Sequence, residues 1–179
     1  MYPVPLPPAC LEALAALDQQ LAERVRERGC PHCGGALHSA CWQRKPRGAE
    51  VPEELAVRRG LCCGRCRCRQ LPPSVLFHGR RVYLKAVVLM VVAARQPDRL
   101  EVTARRLAEL FGVTRRTVAR WLRAYAEGVA HHPAWQCIRG QVPPSVRDTN
   151  VPRSLLDVLV AHQGLEQALL TACRWVPAL

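Results

Sequence analysis

Apolar positions fall into three patterns along the chain, each predicting a different kind of element. After a proline-rich start, Leu11, Leu14, Leu17, Leu21 and Val25 recur at steps of three and four until Gly29. That spacing predicts an amphipathic helix over residues 9–28, packed on the rest of the chain or used for dimerisation. Stretches at 37–44 and 55–61 read as two strands of a hairpin separated by the Pro/Gly-rich loop RKPRGAEVPE. From residue 82 onward Val82, Leu84, Val87, Val88, Val91 and Val92 leave almost no polar face. A helix over 82–95, buried on more than one side, is expected there. Helical periodicity then runs to residue 127, with breaks at Gln96-Pro97-Asp98 and Gly112. Loop chemistry returns at His132-Pro133 and at 142–145, and one or two helices follow from an N-cap at Ser154, interrupted by Gly164. The string PPSV occurs at 72–75 and 143–146 with unlike flanks, so it is repeated turn chemistry and not an internal repeat.

Composition sharpens this outline. At 179 residues, 49% apolar and 22% charged, the chain can bury one compact core or two small ones, while 15 Pro and 11 Gly assign an appreciable part of it to turns. All but two of its 26 cationic side chains are arginines, Lys45 and Lys85 being the exceptions, and the formal net charge is +12. The excess sits in the middle: residues 30–82 hold ten cations and three acids, residues 83–128 nine and four. A positive field placed there suits a phosphate-bearing partner. The first residues lack the basic start and unbroken apolar run of a secretory signal, and the longest apolar run, 86–94, is far short of the roughly 20 residues that span a bilayer. A cytoplasmic location without membrane partners is therefore expected. In that compartment the ten cysteines read as metal ligands and buried thiols, not as a disulfide framework.

Two cysteine pairs carry the clearest metal signal. Cys30-Pro31-His32-Cys33-Gly34-Gly35 places two thiolates three residues apart, with glycines that let the backbone turn its amides toward the sulfurs. Cys63-Gly64-Arg65-Cys66 repeats the spacing. Joined by the hairpin, Cys30, Cys33, Cys63 and Cys66 would form a tetrahedral site for one structural Zn2+, with Arg58, Arg59, Arg65 and Arg67 offsetting its negative charge. Cys62 is the alternative to Cys63; Cys68, Cys41, Cys10, Cys137 and Cys173 read as ordinary thiols. Pro72-Pro73 soon after the second pair argues against a redox motif, and four thiolates leave no open position for a catalytic zinc. His131 and His132 near Cys137 lack a fourth ligand and read as a solvated turn.

The segment 103–127, TARRLAELFGVTRRTVARWLRAYAE, predicts two short helices meeting at a tight corner. Thr103 can cap a first helix burying Leu107 and Phe111, with small Ala108 where the second helix approaches, and Gly112 supplies the left-handed turn. Val113 plugs the corner. Thr114 caps a second helix that buries Val118, Trp121, Leu122 and Tyr125 and ends at Gly128. Its outer side then displays Thr114, Arg115, Arg116, Ala119, Arg120 and Arg123, a set suited to base edges and phosphates of a major groove. Thr117 joins the candidate DNA-binding residues, as do Arg80 and Arg81, which precede the helices and read either as a clamp on phosphates or as exposed linker charge.

These helices resemble the helix-turn-helix of bacterial DNA-binding proteins. The order of parts over residues 30–127 is similar to the N-terminal region of zinc-ribbon transposases of bacterial insertion sequences, in which a CPxCG knuckle, a second C-x2-C knuckle and a helix-turn-helix unit precede a catalytic domain. Here the hairpin is longer, the second knuckle has extra thiols, and only Asp148, Asp157 and Glu166 supply acids beyond Gly128. A two-metal nuclease needs three acids converging on a substantial α/β scaffold, so no enzymatic activity is expected.

The expected fold is mainly α with a small β zinc ribbon. Its parts are a tail and amphipathic helix (1–29), the ribbon (30–78), a helix-turn-helix domain (79–128), and a linker with C-terminal helices (129–179). The expected function is noncatalytic, sequence-specific binding of double-stranded DNA by a transposase-like or transposon-associated bacterial protein of the nucleoid. The alternatives are a transcriptional regulator, or an assembly adaptor for a separate transposase or recombinase; a homodimer is a further option. An RNA-binding ribbon is disfavoured because aromatics are only 5% of the chain.

Overall fold

The computed structural model describes residues 6–47, 49–79, 82–96 and 103–179. Its first helix, α1 (Pro8–Glu27), uses the proline start as its first turn and buries Leu11, Leu14 and Ala15. The chain then enters a β ribbon. Strands β1 (Leu37–Ser39) and β2 (Trp42–Gln43) run out, and β3 (Val57–Arg58) and β4 (Leu61–Cys63) run back. Leu37 faces Cys63, Ser39 faces Leu61, Trp42 faces Arg58 and Gln43 faces Val57, so one antiparallel register holds throughout. The predicted hairpin is thus present. A fifth strand, β5 (Arg69–Gln70), pairs with β4 to complete a three-stranded sheet in the order β1-β4-β5.

Five further helices follow: α2 (Lys85–Arg95), α3 (Ala104–Leu110), α4 (Arg115–Gly128), α5 (Pro133–Ile138) and α6 (Arg153–Trp175). The described residues are therefore mainly helical with small antiparallel sheets. Helix α2 starts later than its apolar pattern predicts. Phe77 and Leu84 form an antiparallel bridge, His78 N–H donates to Tyr83 O and Lys85 N–H to Leu76 O, so Tyr83 and Leu84 are drawn into an extended turn around Gly79 (φ 64°). From Lys85 on, α2 is buried nearly all round, as predicted.

One apolar core runs from α1 through α2, α3 and α4 to α5 and α6. Residues 129–179 share it: Trp135, Val151, Leu155, Leu169 and Val176 are all inaccessible or nearly so. Helix α6 is capped differently from expectation. Ser154 lies inside its first turn and donates to Arg147 O, while the side chain of Gln96, at the end of α2, accepts from Arg153 N–H at 2.7 Å and donates to Val151 O at 2.7 Å. A buried amide from another helix satisfies an end that Pro152, preceding the helix, cannot cap. Gly164 interrupts α6 as predicted, at φ 77°.

Polar groups tie the ribbon to this core. Asp18 of α1, 1% exposed, accepts hydrogen bonds from Ser74 Oγ, from Val75 N–H at 2.6 Å and from Leu76 N–H at 3.3 Å. Arg58 of β3 is also buried and donates to Pro72 O at 2.7 Å and Arg59 O at 3.2 Å. It is fastened beside Asp18 and is not an exposed counter-charge for the thiols, as its place between two cysteine knuckles suggested.

Candidate metal centre and nucleic-acid interface

The hairpin brings its two ends together, and with them the two cysteine pairs. Cys30, Cys33, Cys63 and Cys66 have sulfurs all within 4.8 Å of one another; Cys30 Sγ is 3.5 Å from Cys66 Sγ, and Cys33 Sγ is 3.5 Å from Cys63 Sγ. The knuckles repeat one backbone design. Cys30 N–H donates to Gly35 O and Gly34 N–H to Cys30 O; at the second pair Cys63 N–H donates to Cys68 O and Arg67 N–H to Cys63 O. Gly34 (φ 68°) and Arg67 (φ 60°) occupy the same left-handed position. Cys62 Sγ instead points to the carbonyls of Cys63 and Arg67, which places Cys63 in the cluster and Cys62 outside it.

The donor set fits zinc. The backbone N–H of Cys66 reaches Cys63 Sγ, and this chiefly holds that thiol down at about 6. Cys66 receives a backbone hydrogen bond from Cys68, but the neighbouring thiols of Cys30, Cys33 and Cys63 push it up to about 12. Four sulfurs packed this closely cannot all ionise without a cation among them, and a divalent ion held by Cys30, Cys33, Cys63 and Cys66 would supply that charge.

The helix-turn-helix geometry follows from its caps. Thr103 Oγ1 accepts from Arg106 N–H at 3.2 Å and Thr114 Oγ1 from Thr117 N–H at 3.1 Å, so both helices start on threonine caps as predicted. Gly112 turns the chain at φ 61°, and Val113 N–H closes the corner on Ala108 O. Beneath α4, Val118, Trp121 and Tyr125 are buried, while Leu122 is half-buried at the margin. An aromatic cluster fixes this underside. Tyr83 meets Trp121 edge-on with ring centroids 5.0 Å apart, His78 stacks on Tyr125 at 5.9 Å, and Tyr125 Oη donates to Pro177 O at 3.2 Å. Leu179 lies against Gly128, where a Cβ would come within 3.1 Å of it. The C-terminal residues therefore hold α4 from below.

Above that underside Thr114, Arg115, Arg116, Ala119, Arg120 and Arg123 are exposed. None of these four arginines is in an ion pair among the described residues, unlike Arg105, which pairs with Glu109 at 2.9 Å. Thr117 does not share this surface. It is buried, with its hydroxyl 3.0 Å from that of Thr114, because the third residue of the helix turns inward beside the cap. Arg80 and Arg81 lie outside the described residues. His132 caps α5 through Nδ1, which accepts from Ala134 N–H, in keeping with a turn.

Residues 81–133 match the family model of the homeodomain-like domain. The matched segment takes in α2, α3 and α4, the trihelical unit just described. A homeodomain-like helix-turn-helix supports DNA binding and agrees with the free cationic face of α4. Neither the curated proteins nor the solved structures contain a match to the chain. Among the described residues no helix is long and apolar enough to cross a membrane.

One exposed residue carried no signal that the hydrophobic pattern could isolate. Trp42 lies on β2 at 37% exposure, with the Arg44 guanidinium 5.2 Å from its ring centroid. Its position becomes meaningful only once the register pairs it with Arg58 and so brings its ring against Gly60.

Proposed function

We propose that this chain is a noncatalytic, sequence-specific double-stranded-DNA-binding protein of the transposase-like or transposon-associated kind, with a structural zinc ribbon joined to its helix-turn-helix. The observation that carries the reading is the cationic face of α4. Four arginines with no acidic partner among the described residues rise from a helix whose opposite side is locked by Trp121 and Tyr125. Arginine pairs bidentately with guanine in the major groove, and the capped start of α4 suits a phosphate. Zinc on Cys30, Cys33, Cys63 and Cys66 would clamp the two ends of the hairpin.

The noncatalytic part of the reading is supported by the placement of the late acids. Asp148 pairs with Arg139 at 2.8 Å and Asp157 with Arg153 at 2.6 Å, so each is engaged in bracing its own loop or helix. The experiment is selection of bound duplexes from a random pool by the zinc-loaded protein. Enrichment of a defined site supports the reading, and a palindromic one adds a symmetric dimer. No enrichment, with binding to a transposase or recombinase instead, would make the chain an assembly adaptor.

A further inference from the structure

The ribbon carries a groove of about 610 Å³ with no acidic residue in its lining, which includes Trp42, Arg44, Leu61, Arg69, Gln70 and Leu71. Its aromatic wall is built by the hairpin. Trp42 is paired with Arg58 across the strands, and its ring lies diagonally over Gly60, where any Cβ would collide with the indole and come within 2.7 Å of Ala40 O. A glycine at 60 therefore lets a tryptophan rest on the sheet, half out in water. Arg44 lies over the same ring, and Arg69 is exposed on β5. Charge points the same way, since the described residues 30–47 and 49–79 hold eight cations and three acids.

The geometry points to a second nucleic-acid site in this groove, which takes a single-stranded segment of DNA by stacking one unpaired base on the indole face of Trp42 that Arg44 covers, Arg44 swinging off the ring to hold the adjoining phosphates together with Arg69. An exposed indole adds nothing to phosphate binding, but its face is the surface on which an unpaired base stacks without regard to sequence. A paired base offers no free face. The scarcity of aromatics in the chain argues against a long stacking platform, yet one tryptophan flanked by cations suffices for one base. This site is independent of the duplex-binding face on α4.

The test uses the full zinc-loaded chain, a fluorescent short oligothymidylate and, in parallel, a duplex. Oligothymidylate is expected to bind and to quench tryptophan emission. Trp42→Phe should abolish most of that quenching while keeping affinity, Trp42→Ala should weaken oligothymidylate binding about tenfold, and neither should change duplex affinity. Arg69→Gln, an exposed change that leaves the sheet intact, should flatten the salt dependence by about 0.7 in log–log slope. Zinc content of each variant reports that the ribbon is folded. The inference is overturned if the wild type does not bind oligothymidylate, or if Trp42→Ala with full zinc binds it unchanged. Equal losses for duplex and oligothymidylate, or tighter binding of oligouridylate, would also overturn it. Failure of the duplex-binding reading would show only in the duplex arm.

Discussion

Single residues in this protein show most clearly where local chemistry and fold disagree. Arg67 adopts φ 60° at the position that glycine fills in the first knuckle, which costs a side chain about 1 kcal/mol or more. Arg67→Gly is therefore expected to raise stability by up to about 1 kcal/mol in urea unfolding, once the greater freedom of glycine in the unfolded chain is allowed for. Asp18 presents the opposite case. Burial pushes its carboxyl above the usual aspartate value, against the donors on Ser74, Val75 and Leu76 and the charge of Arg58 that hold it down. A raised folded value means that the native state binds the proton more tightly. Its contribution to stability is then full below the unfolded value and is lost as pH rises through the folded one. The unfolding free energy of the wild type minus that of Asp18→Asn should increase as pH is lowered from 7 toward 4; a flat or falling difference would contradict this.

At the scale of elements, hydrophobic period and capping chemistry made most of the helices readable, with α1 found within a residue or two and both threonine caps in place. What was not legible is tertiary. Nothing local to Ser154 says that a glutamine at residue 96 will cap α6, and nothing in the run Val82 to Leu84 says that backbone bonds to Leu76 and His78 will hold it extended. Thr117 is the contrary case, because it stands one turn before the buried Trp121 and helical phase alone puts it on the inner side, its hydroxyl 3.0 Å from that of Thr114. The Gln96 bridge gives a direct check. Gln96→Ala removes both buried partners and should cost about 1–3 kcal/mol, read as a lower urea midpoint at unchanged slope.

For the whole molecule, the thiol cluster was legible because the C-x2-C spacing survives any loop length between the pairs, and the same spacing favoured Cys63 over Cys62, in agreement with the register that aligns Leu37 with Cys63. One bound zinc per chain is expected, and Cys63→Ser should lose it while Cys62→Ser retains it, as measured by elemental analysis of freshly reduced protein. Zinc in structural sites supplies apparent free energies of about 10–16 kcal/mol, so chelation should unfold the ribbon. The shared core of α1 to α6 implies that the helical part keeps its far-UV signal when that happens.

The most direct measurement for the central claim is the affinity of Arg116→Ala and Arg120→Ala for a preferred duplex and its scrambled counterpart at one salt concentration. Both side chains stand on the exposed side of α4, opposite the buried Val118 and Tyr125. Each substitution should cost about 1–3 kcal/mol on the preferred duplex, relax selectivity at one or two base pairs, and change the scrambled duplex much less. Equal losses on both duplexes would mean that α4 contacts only the phosphate backbone and does not read sequence.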